Sequence, residues 1–235
     1  MHQLRNILES MRRKGLYGLF SNPGFGNTAL LTYFASCFSA VGDKCLFVSL
    51  EIPKELLLKR MHQSKMNTDC IKIIESMPLN LNFDEIAETI ISESPKAVFV
   101  DRLRLIGPDM VLSIKSLKSL SEQLSIPIVF NCQLPRCSGD YDPFERRPEL
   151  YDLTYLFPLQ KTIDEIQNVI RLIDIIMFLH RNHDCERGIG TAHRYNISNS
   201  AELILKSGKQ DSSMTVRFDI RDILIITNKQ ENRIP

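Results

Sequence analysis

At 235 residues and 27.0 kDa, the chain suits one α/β domain with small additions and can bury a full core. Hydrophobic content of 43% and charged content of 24% are those of a globular chain, and no apolar run approaches the roughly 20 residues of a membrane span. A formal net charge of +1 excludes a global electrostatic pull toward nucleic acid or membrane, which leaves any such contact to local patches. The candidates are Arg12-Arg13-Lys14, Arg102 with Arg104, and Arg146-Arg147, each of which, taken alone, also reads as a solvated face.

The opening "MHQLRNILESMRRKG" mixes charged and apolar residues and lacks the apolar core of a signal peptide. The expectation is a cytoplasmic protein without a transmembrane helix, with residues 1–14 as a short helical lead-in and 15–235 as one domain. Six cysteines, at 37, 45, 70, 132, 137 and 185, have no framework spacing and read as reduced thiols.

A first strand is expected over Leu16–Phe20, followed at once by "SNPGFGNT" and a helix over Thr28–Val41 with Leu31, Phe34, Ala35 and Phe38 on one face. That octapeptide is almost the phosphate loop G-x-x-x-x-G-K-[ST], placed as such a loop must be, between strand and helix. Gly24 and Gly26 let backbone amides turn toward phosphate oxygens, the helix N-terminus adds positive charge, and Thr28 can place its hydroxyl on Mg²⁺. Two positions depart: Ser21 stands for the first glycine and Asn27 for the lysine. The alternative is a glycine turn that binds nothing.

Next come a strand over Lys44–Leu50 ending at Glu51, helices over Pro53–Lys65 and Asp84–Ser92, and a strand over Lys96–Asp101. Asp101, at the carboxyl end of an apolar strand, can hold magnesium or its water shell. Glu51 can orient or deprotonate a water, or can equally be a solvent-facing acid before Pro53. A helix over Met110–Ser125 and a strand over Pro127–Cys132 complete a βαβ rhythm, the mark of a mostly parallel sheet flanked by helices.

From Leu134 to Lys161 the rhythm stops in a proline-rich segment whose length points to function or mobility, and Arg146-Arg147 between Phe144 and Tyr151 suits stacking plus phosphate contact or a plain surface loop. Strands follow over Leu172–Leu179, Ala201–Lys206 and Met214–Asp219. The last two form an antiparallel hairpin with "SGKQDSS" as its turn, and Arg181–Ser200 is a second irregular region. His180, His183, Cys185 and His193 offer zinc ligands, but their spacing fits no common zinc pattern.

These pieces together resemble replicative DNA helicases of the DnaB type. "LFVSLEIPKELLLKRM" is similar to the strand and helix after their phosphate loop, "KAVFVDRLRLI" to their Walker B strand, and "LKSLSEQLSIPIVFNCQLPR" to the helix, strand and Gln-Leu-x-Arg motif beyond it. "RRPELYDL" with "LIDIIMFLHR", and "AELILKSGKQ" with "MTVRFDI", resemble their later segments, in order from about Lys14 to Ile220. The resemblance implies a RecA-like P-loop core, ATP with Mg²⁺, and rings, usually hexameric, that move on single-stranded DNA. It assigns Ser21, Gly24, Gly26, Asn27 and Thr28 to the phosphate loop, with Thr28 and Asp101 on the metal. Glu51 becomes the catalytic carboxylate, Gln133 the residue coupling nucleotide state to DNA loops, and Lys209 a basic residue reaching the neighbouring subunit's site.

The departures fall in the chemistry. Asn27 replaces the lysine, Asp211 stands at the arginine-finger position, Arg102 replaces a tyrosine, Leu156–Gln167 reads as extra or diverged sequence, and nothing corresponds to the amino-terminal collar. Loss of one preorganised charge stabiliser costs ~2.7–4 kcal/mol in a transition state, and an arginine finger is worth ~10³–10⁵ in rate. The lysine contact itself is worth ~1.5–3 kcal/mol in binding. The expectation is therefore a DnaB-like domain of DNA replication and unwinding that binds ATP and Mg²⁺ with weak or absent hydrolysis. Its partners would be single-stranded DNA through residues 134–161 and a homo-oligomeric ring or intact helicase subunits, with no membrane. The alternatives are an active motor in which Lys14, Arg102 or Lys209 substitutes for the lysine, and a non-catalytic scaffold.

Overall fold

The computed structural model describes residues 2–75, 82–107, 109–135, 147–157, 161–186, 194–208 and 213–223. Among the described residues eight strands form one sheet: β1 (Gly15–Ser21), β2 (Cys45–Ser49), β3 (Ile71–Glu75), β4 (Ala97–Asp101), β5 (Pro127–Gln133), β6 (Ile175–Glu186), β7 (Arg194–Ser207) and β8 (Ser213–Asp219), in the order β3-β2-β4-β5-β1-β6-β7-β8. The first six are parallel to one another, β7 runs antiparallel to β6, and β8 runs antiparallel to β7. This is the α/β architecture expected, with an antiparallel end.

Both faces of the central parallel strands are covered, so β1, β2, β4 and β5 are mostly apolar, and β1 is buried along all seven residues. Alternate side chains serve opposite layers. Leu16 and Phe20 join the core under α4 (Phe83–Glu93), α5 (Met110–Leu124) and α6 (Ile163–Ile170). Tyr17 and Leu19 join the core under α1 (His2–Met11), α2 (Asn27–Ser39) and α3 (Lys54–Gln63). The lead-in helix is thus part of the packed structure: Leu4, Ile7, Leu8 and Met11, spaced i, i+3, i+4 and i+7, are all buried.

Helix starts follow local chemistry. Asn82 and Glu85 form a capping box on α4, Thr162 and Glu165 another on α6, and Asp109 accepts the amides of Val111 and Leu112 at the start of α5. Asp174, just ahead of β6, accepts the Leu16 amide at 2.9 Å and pairs with Lys118 at 2.7 Å, tying β1, β6 and α5 together. No helix among the described residues is long and apolar enough to cross a membrane.

Three expectations need correction. β3 and α6 were not anticipated, and α6 occupies part of the stretch read as extra sequence. β6 and β7 continue into the region taken as irregular, leaving 187–193 outside the described residues. The β7–β8 pairing is antiparallel as expected, from Ser200↔Asp219 to Lys206↔Ser213, but most of its turn lies outside the described residues.

On β7, Glu202 accepts from Arg147 at 2.8 Å and Arg217 at 2.7 Å. Burial works against its charged form, yet the two arginine hydrogen bonds win and hold the carboxyl below its usual range. A depressed folded pKa stabilises above the unfolded value, about 4.3, and that contribution is lost as pH falls through the folded value. Glu202→Gln should therefore cost about 1 kcal/mol or less at neutral pH, since both arginines are largely exposed, and denaturant titrations should show the difference shrinking as the solution is acidified from the unfolded value through the depressed folded one.

Candidate functional site

β1, β5, β4 and β2 all end at one edge of the sheet. Ser21 lies opposite Gln133 and Ser49 opposite Asp101. The loop at residues 22–26 leaves β1 and turns into α2 through two glycines with positive φ, Gly24 at 81° and Gly26 at 106°. A Cβ at Gly24 would meet nothing, so the requirement there is conformational: an L side chain is strained at that φ whatever the space. Phe25 between them is fully buried, its ring 6.2 Å from that of His180, and its carbonyl accepts from Arg181 at 3.5 Å. The apolar side chain pins the loop while α2 presents its first-turn amides.

Asp101 is fully buried and sits behind this helix start. Its Oδ1 accepts from the Thr28 hydroxyl at 2.9 Å and from Asn131 Nδ2 at 2.5 Å. Its Oδ2 is buried without a hydrogen-bond partner among the described residues. Burial pushes the carboxyl up, opposed by the hydrogen bonds from Asn131 and Thr28 and by the charge of Arg102. An orphaned carboxylate oxygen beside a hydroxyl is a hard-oxygen pair, and it fits Mg²⁺, which takes one or two protein oxygens and fills its octahedron with water and phosphate.

Asn27 stands where the phosphate-loop pattern has its lysine, and its side chain is neutral. Its Nδ2 donates to the Cys132 carbonyl at 3.2 Å, which turns the amide toward β5. Positive charge instead enters from Arg102, whose Nε lies 2.6 Å from Glu51 Oε2. Arg102 has φ 68°, in the left-handed region. Of the other non-glycine residues with positive φ, Ser94 and Ser125 cap helices and Lys65 follows the end of α3, where that conformation is ordinary. Arg102 follows a strand, and such a backbone costs about 1–3 kcal/mol unless its surroundings hold it. Asn131 does so by accepting the Arg102 amide at 2.7 Å.

Gly24, Gly26, Thr28, Glu51, Arg60, Arg102 and Gln133 line one open cleft of about 300 Å³, together with Ser21 and Asn27. Gln133 also borders an adjoining cavity of about 250 Å³ with Pro23, Arg104 and Leu134. Lys14 lies at the far end of β1, about 20 Å from the loop by strand length, so it does not replace the lysine. Lys209 and Asp211 lie outside the described residues, as do Phe144 and Arg146. Arg147 is engaged by Glu202. Of the zinc candidates, His180 packs on Phe25, the side chains of His183 and Cys185 and all of His193 lie outside the described residues, and no cluster of three metal-ligating side chains forms among those described.

Sequence reasoning missed Arg60 and Asn131. A polar residue inside the apolar strand "PIVFNCQ" was a readable signal for Asn131; nothing in the sequence singled out Arg60.

No family model matches the chain. Replicative DNA helicase DnaB of Mycoplasma pneumoniae is 26% identical to it over 266 aligned residues, covering 94% of this chain and 54% of that protein. The chain therefore spans about half the length of the curated relative it matches. A solved ATPase domain superposes with a TM-score of 0.67 at 19% identity, over 90% of this chain and 83% of that one. A DnaB-like replicative helicase, solved in a study of its interactions with primase, gives 0.64 at 19% identity over 88% of this chain and 56% of that one. The chain has the RecA-like α/β fold of these ATPase domains and is similar in sequence to DnaB. A KaiC-like protein of Pyrococcus horikoshii OT3 shares the fold more distantly, with a TM-score of 0.56 at 11% identity over 88% of this chain and 85% of that one.

In this RecA-like fold the buried Asp101 charge has a cost of its own. A raised folded pKa favours the protonated native state, so the ionised carboxylate costs stability at neutral pH, and that cost disappears as pH falls through the raised value. Asp101→Asn should therefore raise stability at neutral pH by about 1 kcal/mol, because an orphaned neutral amide is cheaper than an orphaned charge. Paired denaturation curves should show the advantage shrinking as the solution is acidified.

Proposed function

We propose that this chain is the nucleotide-binding domain of a replicative DNA helicase system, with residues 15–235 acting as one unit. It binds ATP with Mg²⁺, turns it over slowly or not at all, and works in DNA replication and unwinding. The observation that carries this reading is the Thr28–Asp101 pair with its orphaned oxygen, set directly behind a two-glycine loop.

The roles follow from position. Amides of the loop and of the first turn of α2 receive phosphate oxygens. Thr28 and Asp101 would hold the metal, which would supply positive charge against the phosphates. Glu51, half exposed at the end of β2, is the group to take a proton from water, and Gln133 at the sheet edge next to Ser21 links the cleft to the segment beyond Leu134.

Two features argue for slow turnover. Asn27 is neutral and donates toward β5, and the finger position carries the acid Asp211. A missing charge stabiliser and a missing finger together leave hydrolysis near background, at ~10²–10³ for the first and ~10³–10⁵ for the second. The presence of Arg102 and Arg60 in the cleft favours one second reading, in which a substitute cation restores activity.

Single-stranded DNA is the proposed partner of residues 134–161. Tyr151 and Tyr155, exposed and edge to face at 5.6 Å, give that segment aromatic surface for base stacking. A homo-oligomeric ring or intact helicase subunits would complete the assembly and bring Lys209 to a neighbouring site.

Calorimetry with MgATP beside a steady-state ATPase assay, with and without single-stranded DNA, tests the reading. Binding without appreciable turnover is expected. DNA-stimulated turnover would overturn the slow-hydrolysis claim, and absence of binding would leave a scaffold. Asn27→Lys should tighten MgATP binding about 10- to 100-fold, the value of one charge-assisted contact.

A further inference from the structure

Arg102 combines features that a bystander arginine does not show together. It holds a left-handed backbone at the end of a strand, its amide is fixed by Asn131, and its guanidinium reaches 2.6 Å from Glu51 inside the phosphate cleft. The side chain of Asn131 is fully committed to this arrangement, since its Nδ2 bonds Asp101 and its Oδ1 accepts Arg102 N–H. One buried amide thus sets both the proposed metal carboxylate and the direction in which Arg102 leaves β4. Arg60 lines the same cleft but is exposed on α3.

We propose that Arg102 is the nucleotide-responsive cation of this cleft. Without ligand it holds Glu51; when the terminal phosphates of MgATP enter, it transfers to them, supplying the charge missing at Asn27 and releasing Glu51. The inference rests on the nucleotide-binding reading above. The exchange is chemically balanced, because one carboxylate is traded for phosphate oxygens that carry more charge, and a guanidinium offers five donors in a planar fork suited to either. It also couples two events: the carboxylate that would act on water is held until the charge that holds it has a better partner. Nucleotides without β- and γ-phosphates cannot trigger the exchange.

The test measures affinities of MgATP and AMP for the intact chain and for Arg102→Ala, Arg102→Gly, Arg60→Ala and Glu51→Gln. Arg102→Ala should weaken MgATP about 10- to 100-fold while leaving AMP nearly unchanged. Glu51→Gln should tighten MgATP several-fold, about the effect of removing a half-exposed competing ion pair, and Arg60→Ala should weaken MgATP less than Arg102→Ala does. Arg102→Gly removes the guanidinium and relieves the left-handed backbone, so it should melt no lower than wild type while losing MgATP. That combination separates a binding role from damaged folding. MgATP binding by the wild type that survives Arg102→Ala, or that falls equally for AMP, overturns this inference alone. Failure of the wild type to bind MgATP overturns the underlying reading as well.

Discussion

The structure turns on a buried carboxylate that is only half satisfied. Asp101 stands at the end of β4 with one oxygen held by Thr28 from α2 and by Asn131 from β5, and the other buried without a partner among the described residues. Those contacts join the helix that follows the glycine loop, the strand that carries the acid, and the strand that ends in Gln133. A protein that needed only stability would place an apolar side chain there, because a buried charge with an oxygen left unpaired costs more than it contributes. The cost makes sense if a cation fills the position in use, which is how sites for hard metals are commonly supported.

A second constraint follows from charge balance. A cleft that is to take polyphosphate needs cations, and at the position where a phosphate loop would carry its lysine this chain has a neutral amide bonded to the neighbouring strand. Charge is instead brought across the cleft mouth by Arg102, from a backbone that an arginine adopts reluctantly. Glu51, the acid nearest that charge, is its partner. Local strain and an occupied carboxylate therefore meet at the same residue, and the stability given up there is tied to the chemistry of the site.

Much of this was legible in the residues. Alternating apolar strands and helices, the glycine pair between β1 and α2, and the acids at the ends of β2 and β4 all follow from local pattern. The comparisons agree with the fold read from them. What pattern missed has physical causes. β3 is a five-residue edge strand interrupted by Lys72, too short and too mixed to stand out from its loop. α6 carries a readable capping box at Thr162 and Glu165, but only eight residues follow it, and the proline-rich stretch before it masked the signal. The partnership of Arg102 with Glu51 and Asn131 was hidden for another reason: it joins three strands far apart in sequence, and only the sheet order β2-β4-β5 brings them together.

The most direct test is a crystal structure of the chain grown with Mg²⁺ and a non-hydrolysable ATP analogue. The account predicts metal between Thr28 and Asp101, triphosphate on the loop at Gly24 and Gly26, and the Arg102 guanidinium on phosphate oxygens with Glu51 released. Nucleotide bound elsewhere, or a metal position without Asp101, would contradict it.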